Sequence, residues 1–329
     1  MFTLRTFILV ASIALTTSFC RADLDFTSGV NSYRLVTTAG TWDVAEADAV
    51  AKGGHLVHIN SSTENADVYN AIRTLVTTTA NDGGGSKYAW IGGKETTEGS
   101  YAWSDSLATN FWTGGSAGTA VSYHNWGRLS SPYGGPEPDN YNFTQNRAAM
   151  AVQNWPSFAT TGTQIGNASQ WNDINGTNSL QYVIEWTPWQ FWQKTYFFGA
   201  DLTNVAKSGP SANPDGDALV NLLEFAFGTA PTTRNSSLVA ESGGSIVSLG
   251  APVPRVIGGN SFALFARRKN FSAEALTYTV QFSVDLASWT DSNATPDLLA
   301  DNGTMQVVSI PFPILSGKLA RYFRVRVAM

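Results

Sequence analysis

The sequence predicts an α+β protein built from a mixed N-terminal unit, a short helical link and a small all-β unit. Three observations carry that prediction. Helical and strand patterns alternate over residues 24–187, residues 188–232 are aromatic-rich and then acidic, and residues 233–329 form short strand-like runs parted by Asn, Asp, Gly and Pro. A chain of 329 residues should hold about two domains. It is 43% hydrophobic but only 14% charged, against about 25% charged in a typical domain. Ser, Thr, Asn and Gly supply the remaining polarity. A net charge of −5 and a pI near 5.2 give no electrostatic reason to expect nucleic-acid or anionic-membrane binding.

The first 22 residues are expected to be a signal peptide. Arg5 precedes an apolar run from Phe7 to Leu15, too short to span a bilayer, and small residues lead to an exit at Ala22. Cys20 is the only cysteine, and Phe19 before it argues against a lipid anchor. Cleavage after Ala22 would leave no cysteine, so packing and metal, rather than disulfides, would stabilise a secreted or cell-surface protein. No membrane insertion is expected after cleavage.

Within residues 24–187, Trp42, Ala45 and Ala49 mark a helix running into a strand over Gly53-Gly54-His55-Leu56-Val57-His58-Ile59, and Glu64-Asn65 opens a second helix. Trp90-Ile91-Gly92-Gly93, Gly99-Ser100-Tyr101-Ala102-Trp103 and Asn125-Trp126 follow, with Tyr182-Val183-Ile184-Glu185-Trp186 closing the unit. Two polar clusters stand between them: Glu137-Pro138-Asp139-Asn140 and Trp171-Asn172-Asp173. Carboxylate and amide oxygens beside rigid neighbours suit a hard cation such as Ca²⁺, which takes six to eight oxygens. Asn adds NH₂ donors for a ligand hydroxyl.

In this order the motifs resemble a C-type lectin-like domain covering roughly half of the chain. The resemblance implies a Ca²⁺ held by Glu137, Asp139, Asn172 and Asp173, with Gln145 in the place of a further acidic ligand. It also implies a sugar or other ligand met by Glu137, Asp139, Asn140, Asn172 and Asp173, and a cis peptide bond before Pro138. Tyr133 or Tyr141, on the same long loop, would stack on a sugar ring. Two departures stand out. The family's usual cysteines fall at Ala49 and Ile184, and Glu137-Pro138-Asp139 is a hybrid of the mannose-type Glu-Pro-Asn and galactose-type Gln-Pro-Asp loops.

Residues 188–232 form the link. Trp189 to Phe198 is expected to be helical and packed on a neighbour. In the loop that follows, Asn213, Asp215, Asp217, Asn221 and Glu224 occupy EF-hand positions 1, 3, 5, 9 and 12, with the Leu219 carbonyl at 7. Position 6 is Ala218, where a positive φ is costly. The loop therefore follows either the EF-hand course or the shorter Asp-x-Asp-Gly-Asp variant of dockerin-like calcium loops. The segment resembles a linker module of secreted bacterial proteins, and a structural Ca²⁺ is expected here. The exiting helix should stop near Gly228. Strand patterns at 261–268, 277–283, 305–310 and 322–327 predict a small antiparallel sandwich over 233–329, with the arginines of the last strand facing solvent.

No catalytic constellation emerges. His55 and His58 fall on opposite faces of one predicted strand, no thiol remains, and no Gly-x-Ser-x-Gly elbow stands at a strand-to-helix turn. The expected function is a secreted, calcium-dependent carbohydrate-binding protein and not an enzyme, its partner a glycan or an extracellular protein. The alternatives are a protein-binding or surface-assembly module that uses the fold without sugar, and a noncatalytic targeting subunit for a separate polysaccharide enzyme.

Overall fold

A computed structural model describes residues 22–129 and 131–329; of the expected signal peptide, all but Ala22 lies outside the described residues. Among the described residues no helix is long and apolar enough to cross a membrane.

The N-terminal unit opens with the hairpin β1 (Leu24–Ser28) and β2 (Asn31–Gly40). Thr41 then caps α1 (Trp42–Ala51), its hydroxyl accepting from the Val44 N–H. After β3 (His55–Leu56), Ser61 caps α2 (Ser62–Ile72), while the Glu64 carboxylate reaches back to accept from Asn60 N at 2.8 Å. Strands β4 (Thr79–Ala80), β5 (Ser86–Thr97), β6 (Ser100–Trp103), β7 (Asn110–Thr113) and β8 (Thr119–Ala120) follow. A long irregular stretch leads to β9 (Arg147–Ala151), β10 (Trp171–Ile174) and β11 (Leu180–Trp186). The main sheet runs β1-β2-β11-β5-β6-β7-β8, so the first and last strands of the unit are separated only by β2. β11 is parallel to β5, and β9 pairs with both β5 and β10.

Two apolar clusters fill the unit. One gathers Trp103, Phe111, Trp126 and Trp171, the other Trp42, Trp90, Trp155 and Trp186. A buried indole N–H usually finds an acceptor, and that of Trp126 is an exception. Trp42 donates to Ile91 O, Trp90 to Gly40 O, Trp186 to Lys52 O and Trp171 to Asn65 Oδ1, each within 3.0 Å. Ala49 and Ile184 are fully buried in the second cluster, so apolar packing stands where the resemblance would place a disulfide.

Glu185 of β11 is buried as well. Its Oε1 accepts from Asn31 Nδ2 at 2.6 Å and lies 3.4 Å from the Tyr33 hydroxyl, while Oε2 accepts from His58 N at 2.8 Å. Tyr33 in turn donates to Glu64 at 2.6 Å. Burial, reinforced by the Glu64 charge, pushes the Glu185 carboxyl up to about 8. His58 donates or accepts at Asp105, 2.7 Å away, and His55 is buried separately, so the two imidazoles do not share a site.

Thr187 and Gln190 form a reciprocal capping box that starts α3 (Pro188–Tyr196), with Pro188 in its first turn. Short helices α4 (Ala200–Thr203) and α5 (Val205–Ser208) precede the acidic loop, and α6 (Asn221–Phe227) leaves it. α6 stops at Gly228, whose φ of +79° only glycine takes at little cost. Within the loop the left-handed residue is Gly216, φ +69°, and Ala218 keeps a negative φ. The sharp turn therefore sits one residue before Asp217 and not at EF-hand position 6.

Beyond residue 233 come β12 (Ala240–Ser242), β13 (Ser245–Ser248), β14 (Val253–Ile257), β15 (Asn260–Arg268) and β16 (Thr277–Ser283). They are followed by β17 (Thr290–Asp291), β18 (Asp297–Asp301), β19 (Met305–Pro311), β20 (Ile314–Leu315), β21 (Lys318–Leu319) and β22 (Tyr322–Ala328). An antiparallel sheet β14-β15-β19-β18 faces a second, β17-β16-β22. Ala263, Phe265, Val280, Phe282, Val308 and Ile310 fill the space between them. Arg324 and Arg326 lie on the exposed side of β22, alternating with half-buried Phe323, Val325 and Val327.

Candidate cation and ligand site

β10 sets the geometry of the first acidic site. Successive strand residues face opposite sides, so Trp171 drives into the aromatic cluster and Asp173 shares its side, while Asn172 faces the other way. Consequently Asp173 lines one cleft of 410 Å³ with Glu95, Glu98, Gly115, Asp139 and Asn140. Asn172 lines a second of 270 Å³ with Asp82, Tyr133, Glu137, Asp139 and Phe158. The loop carrying Glu137 and Asp139 crosses between the two clefts, with a cis bond at Glu137–Pro138 as the resemblance implied.

Asp173 holds this loop in place. Its Oδ1 accepts from Asp139 N at 3.2 Å and its Oδ2 from Asn140 N at 2.9 Å, with the Tyr101 hydroxyl 3.3 Å away. Trp155 donates to Glu137 Oε1 at 3.1 Å, and Gly127 and Gly166 leave flat space for its ring. Carboxylate oxygens of Glu137, Asp139 and Asp173 lie within 4.8 Å of one another.

Three carboxylates that close and that buried are costly as anions. Burial, then the Asp173 and Asp139 charges, pushes the Glu137 carboxyl well above the ordinary range. Burial raises Asp139 and Asp173 in the same direction. Two acceptors at the site, Glu137 Oε2 and Asn172 Oδ1, are buried without a hydrogen-bond partner. Such orphans are rare in folded proteins. All-oxygen donors, excess negative charge and unpartnered acceptors fit a hard cation.

The remaining sequence-nominated residues are placed as follows. Asn140 Oδ1 accepts from Gln145 N at 3.0 Å, and its Nδ2 donates to Glu98 at 2.9 Å. Gln145 is committed at both ends: its Oε1 accepts from Tyr141 N at 2.8 Å and its Nε2 donates to Asp82 O at 3.0 Å. Its amide braces the loop. Tyr133 and Tyr141 are 49% and 57% exposed, and Tyr133 meets Phe158 edge-on, ring centroids 5.1 Å apart, at the rim of the second cleft. Asn213, Asp215, Asp217, Asn221 and Glu224 form a separate group around α6, where carboxylate oxygens of Asp215, Asp217 and Glu224 again lie within 4.8 Å.

Sequence reasoning missed Glu98, Asp82, Tyr88 and Trp155. Glu95 and Glu98 stand three apart beside the β5–β6 turn, an acidic pairing the sequence displays. Trp155 and Tyr88 give no local signal, because their partners Glu137 and Asn172 are distant in sequence.

No family model matches the chain. It is 30% identical over 155 residues to ladderlectin of Oncorhynchus mykiss, covering 47% of this chain and 62% of that one. It is 33% identical over 90 residues to a type-2 ice-structuring protein of Brachyopsis segaliensis, covering 27% and 39%. The chain thus spans less than two thirds of either relative. Among solved structures it is similar to the C-type lectin CEL-I from Cucumaria echinata, at 22% identity over 49% of this chain and 93% of that one, TM-score 0.33. It is also similar to a calcium-independent type II antifreeze protein, at 23% identity over 50% and 96%, TM-score 0.31. The similarity to the curated lectin supports a C-type lectin-like fold for about half of the chain.

Proposed function

We propose that the protein is a secreted or cell-surface carbohydrate-binding protein whose lectin-like domain, residues 24–187, engages a glycan with the help of Ca²⁺. A helical link over 188–232 and a β-sandwich module over 233–329 complete the chain. The carrying observation is the convergence of Glu137, Asp139 and Asp173 beside the two orphaned acceptors Glu137 Oε2 and Asn172 Oδ1. Glu137, Asp139 and Asp173 would hold the cation, with Asn172 approaching it from the second cleft, which Glu137 and Asp139 also line. When bound, Ca²⁺ supplies open coordination positions for vicinal hydroxyls. Asn140 and Gln145 order the loop. Tyr133 and Phe158 give the second cleft an apolar rim on which a sugar face can rest.

Calorimetric titration with CaCl₂ and a glycan panel read with Ca²⁺ or EDTA test this reading. The expected result is EDTA-sensitive glycan retention. Asp173→Asn should weaken Ca²⁺ at least tenfold, since it removes one of three charges and one acceptor of the loop N–H groups. Glycan retention indifferent to both EDTA and Asp173→Asn would refute it. Ca²⁺ binding with no glycan retained would point instead to a protein-binding module on the same fold.

A further inference from the structure

The β-rich module ends in a strand with one free edge. β22 terminates the sheet β17-β16-β22, so its side away from β16 meets no strand. From Tyr322 to Ala328 it contains neither Pro nor Gly and alternates exposed with half-buried residues. Such an edge presents unpaired backbone donors and acceptors in a row. β14 terminates the facing sheet, but it carries Pro254 and follows Pro252, neither of which has an N–H to offer.

A groove of 450 Å³ follows that edge. Leu219, Leu223 and Phe227 line it from the link, Pro252 and Pro254 from the facing sheet, and the five consecutive residues Arg321 to Val325 from β22 and its approach. Strand neighbours face opposite ways, so lining by consecutive residues means that the groove tracks the backbone and not one face. Phe323 and Val325 pack inward against the sandwich core, while Tyr322 and Arg324 stand outward. Leu286, also on the groove, is 56% exposed and Tyr322 41%. Apolar surface left open beside unpaired backbone marks a contact surface.

Charge selects what fits there. Between Asn302 and Met329 the charged residues are Lys318, Arg321, Arg324 and Arg326, all basic in a chain of net charge −5. No ion pair among the described residues includes Arg321, Arg324 or Arg326. Arg324 donates instead to Gln281 Oε1 at 2.6 Å and lies 4.3 Å from the Trp289 ring centroid, which fixes its guanidinium on the outer face. We propose that the free edge of β22 and its groove bind an extended acidic segment of another protein, added to the sheet as a further strand. Outward residues of that segment meet Arg324 and Arg326, and the residues between them drop toward Leu223 and Phe227. The ligand is therefore an alternation of acidic and apolar residues. A second copy of the chain does not suit this edge: docked antiparallel about Val325, it would set Arg324 of one copy opposite Arg326 of the other. This surface belongs to a different unit from the ligand clefts and does not rest on the function proposed for them.

Fluorescence anisotropy with the full chain and a labelled synthetic peptide alternating Glu with Val tests the proposal. The peptide should bind, and a peptide alternating Lys with Val should not. Arg321→Glu combined with Arg326→Glu changes two exposed side chains without ion pairs. It should weaken binding at least about tenfold while leaving the thermal melt unchanged. Only every second N–H of an added antiparallel strand faces its neighbour. N-methylation of alternate peptide residues should therefore abolish binding in one frame and spare it in the other. Binding that survives the arginine changes, or equal effects of the two methylation frames, would overturn the proposal. So would retention on heparin with no peptide bound, which would make the arginines a polysaccharide site. Dimers in sedimentation that the arginine changes dissolve would overturn it as well, by placing a second copy on the edge.

Discussion

Glu185 offers a stability test that needs no ligand. Its carboxyl sits near 8 in the fold because burial and the Glu64 charge disfavour the anion, whereas in the unfolded chain it titrates near the ordinary value of about 4.3. A raised folded value means the native state binds the extra proton. Its contribution is complete below the unfolded value and is lost as pH rises through about 8. Integrated between pH 5 and pH 8, that loss is about 3–4 kcal/mol. For a domain of this size it corresponds to a melting-temperature drop of about 10 °C. Glu185→Gln imitates the neutral acid at every pH. In thermal melts at pH 5, 6, 7 and 8, with Ca²⁺ held constant, the wild type should lose stability with rising pH and the variant should lose markedly less. Parallel curves would refute the reasoning and place the slope on other groups.

Three further outcomes are expected. Gly166→Ala would place a Cβ about 2.0 Å from the Trp155 ring; denaturant unfolding should show a loss of about 1–3 kcal/mol, with weakened Ca²⁺ titration as the indole leaves Glu137. Trp155→Phe stays aromatic but deletes the indole N–H that donates to Glu137 Oε1 at 3.1 Å; urea unfolding should show a stability loss of about 1–3 kcal/mol, and an unchanged midpoint would show the bond to be idle. Thr187→Ala breaks the capping box of α3. It should cost about 1 kcal/mol, and hydrogen exchange should speed up over 188–196 before it does in the main sheet.

What the sequence made legible was chiefly local. The first helix showed through Trp42, Ala45 and Ala49 and the second through Glu64-Asn65, whereas the caps Thr41, Ser61 and Thr187, each accepting from an N–H three residues on, became visible only in the fold. The strands at 277–283 and 322–328 showed through their alternation, and the two acidic groups through their spacing. Long-range partnerships were not visible. Gln145 was placed as a ligand by resemblance alone; the hydrogen bonds of its amide to Tyr141 N and to Asp82 O, 63 residues away, were not visible. Trp155 sits in an unremarkable Asn-Trp-Pro turn, and only folding brings it beneath Glu137. Glu185 did leave a trace: a lone carboxylate inside the apolar run Tyr182-Val183-Ile184-Glu185-Trp186 asks for buried donors. Their identity, Asn31 and the His58 amide, depended on sheet register.

The sheet order β1-β2-β11-β5-β6-β7-β8 also has a mechanical meaning. Chain entry and exit lie on strands near one side of the sheet, β1 and β11 with β2 between them, whereas the clefts draw on the β5–β6 turn and the loop after β7 toward the other. Tension transmitted along the chain from β1 to α3 would load the hydrogen bonds among β1, β2 and β11 and bypass the loops around Asp139. A tethered molecule of this design could be pulled by its ends while the geometry of its recognition loops stayed undisturbed.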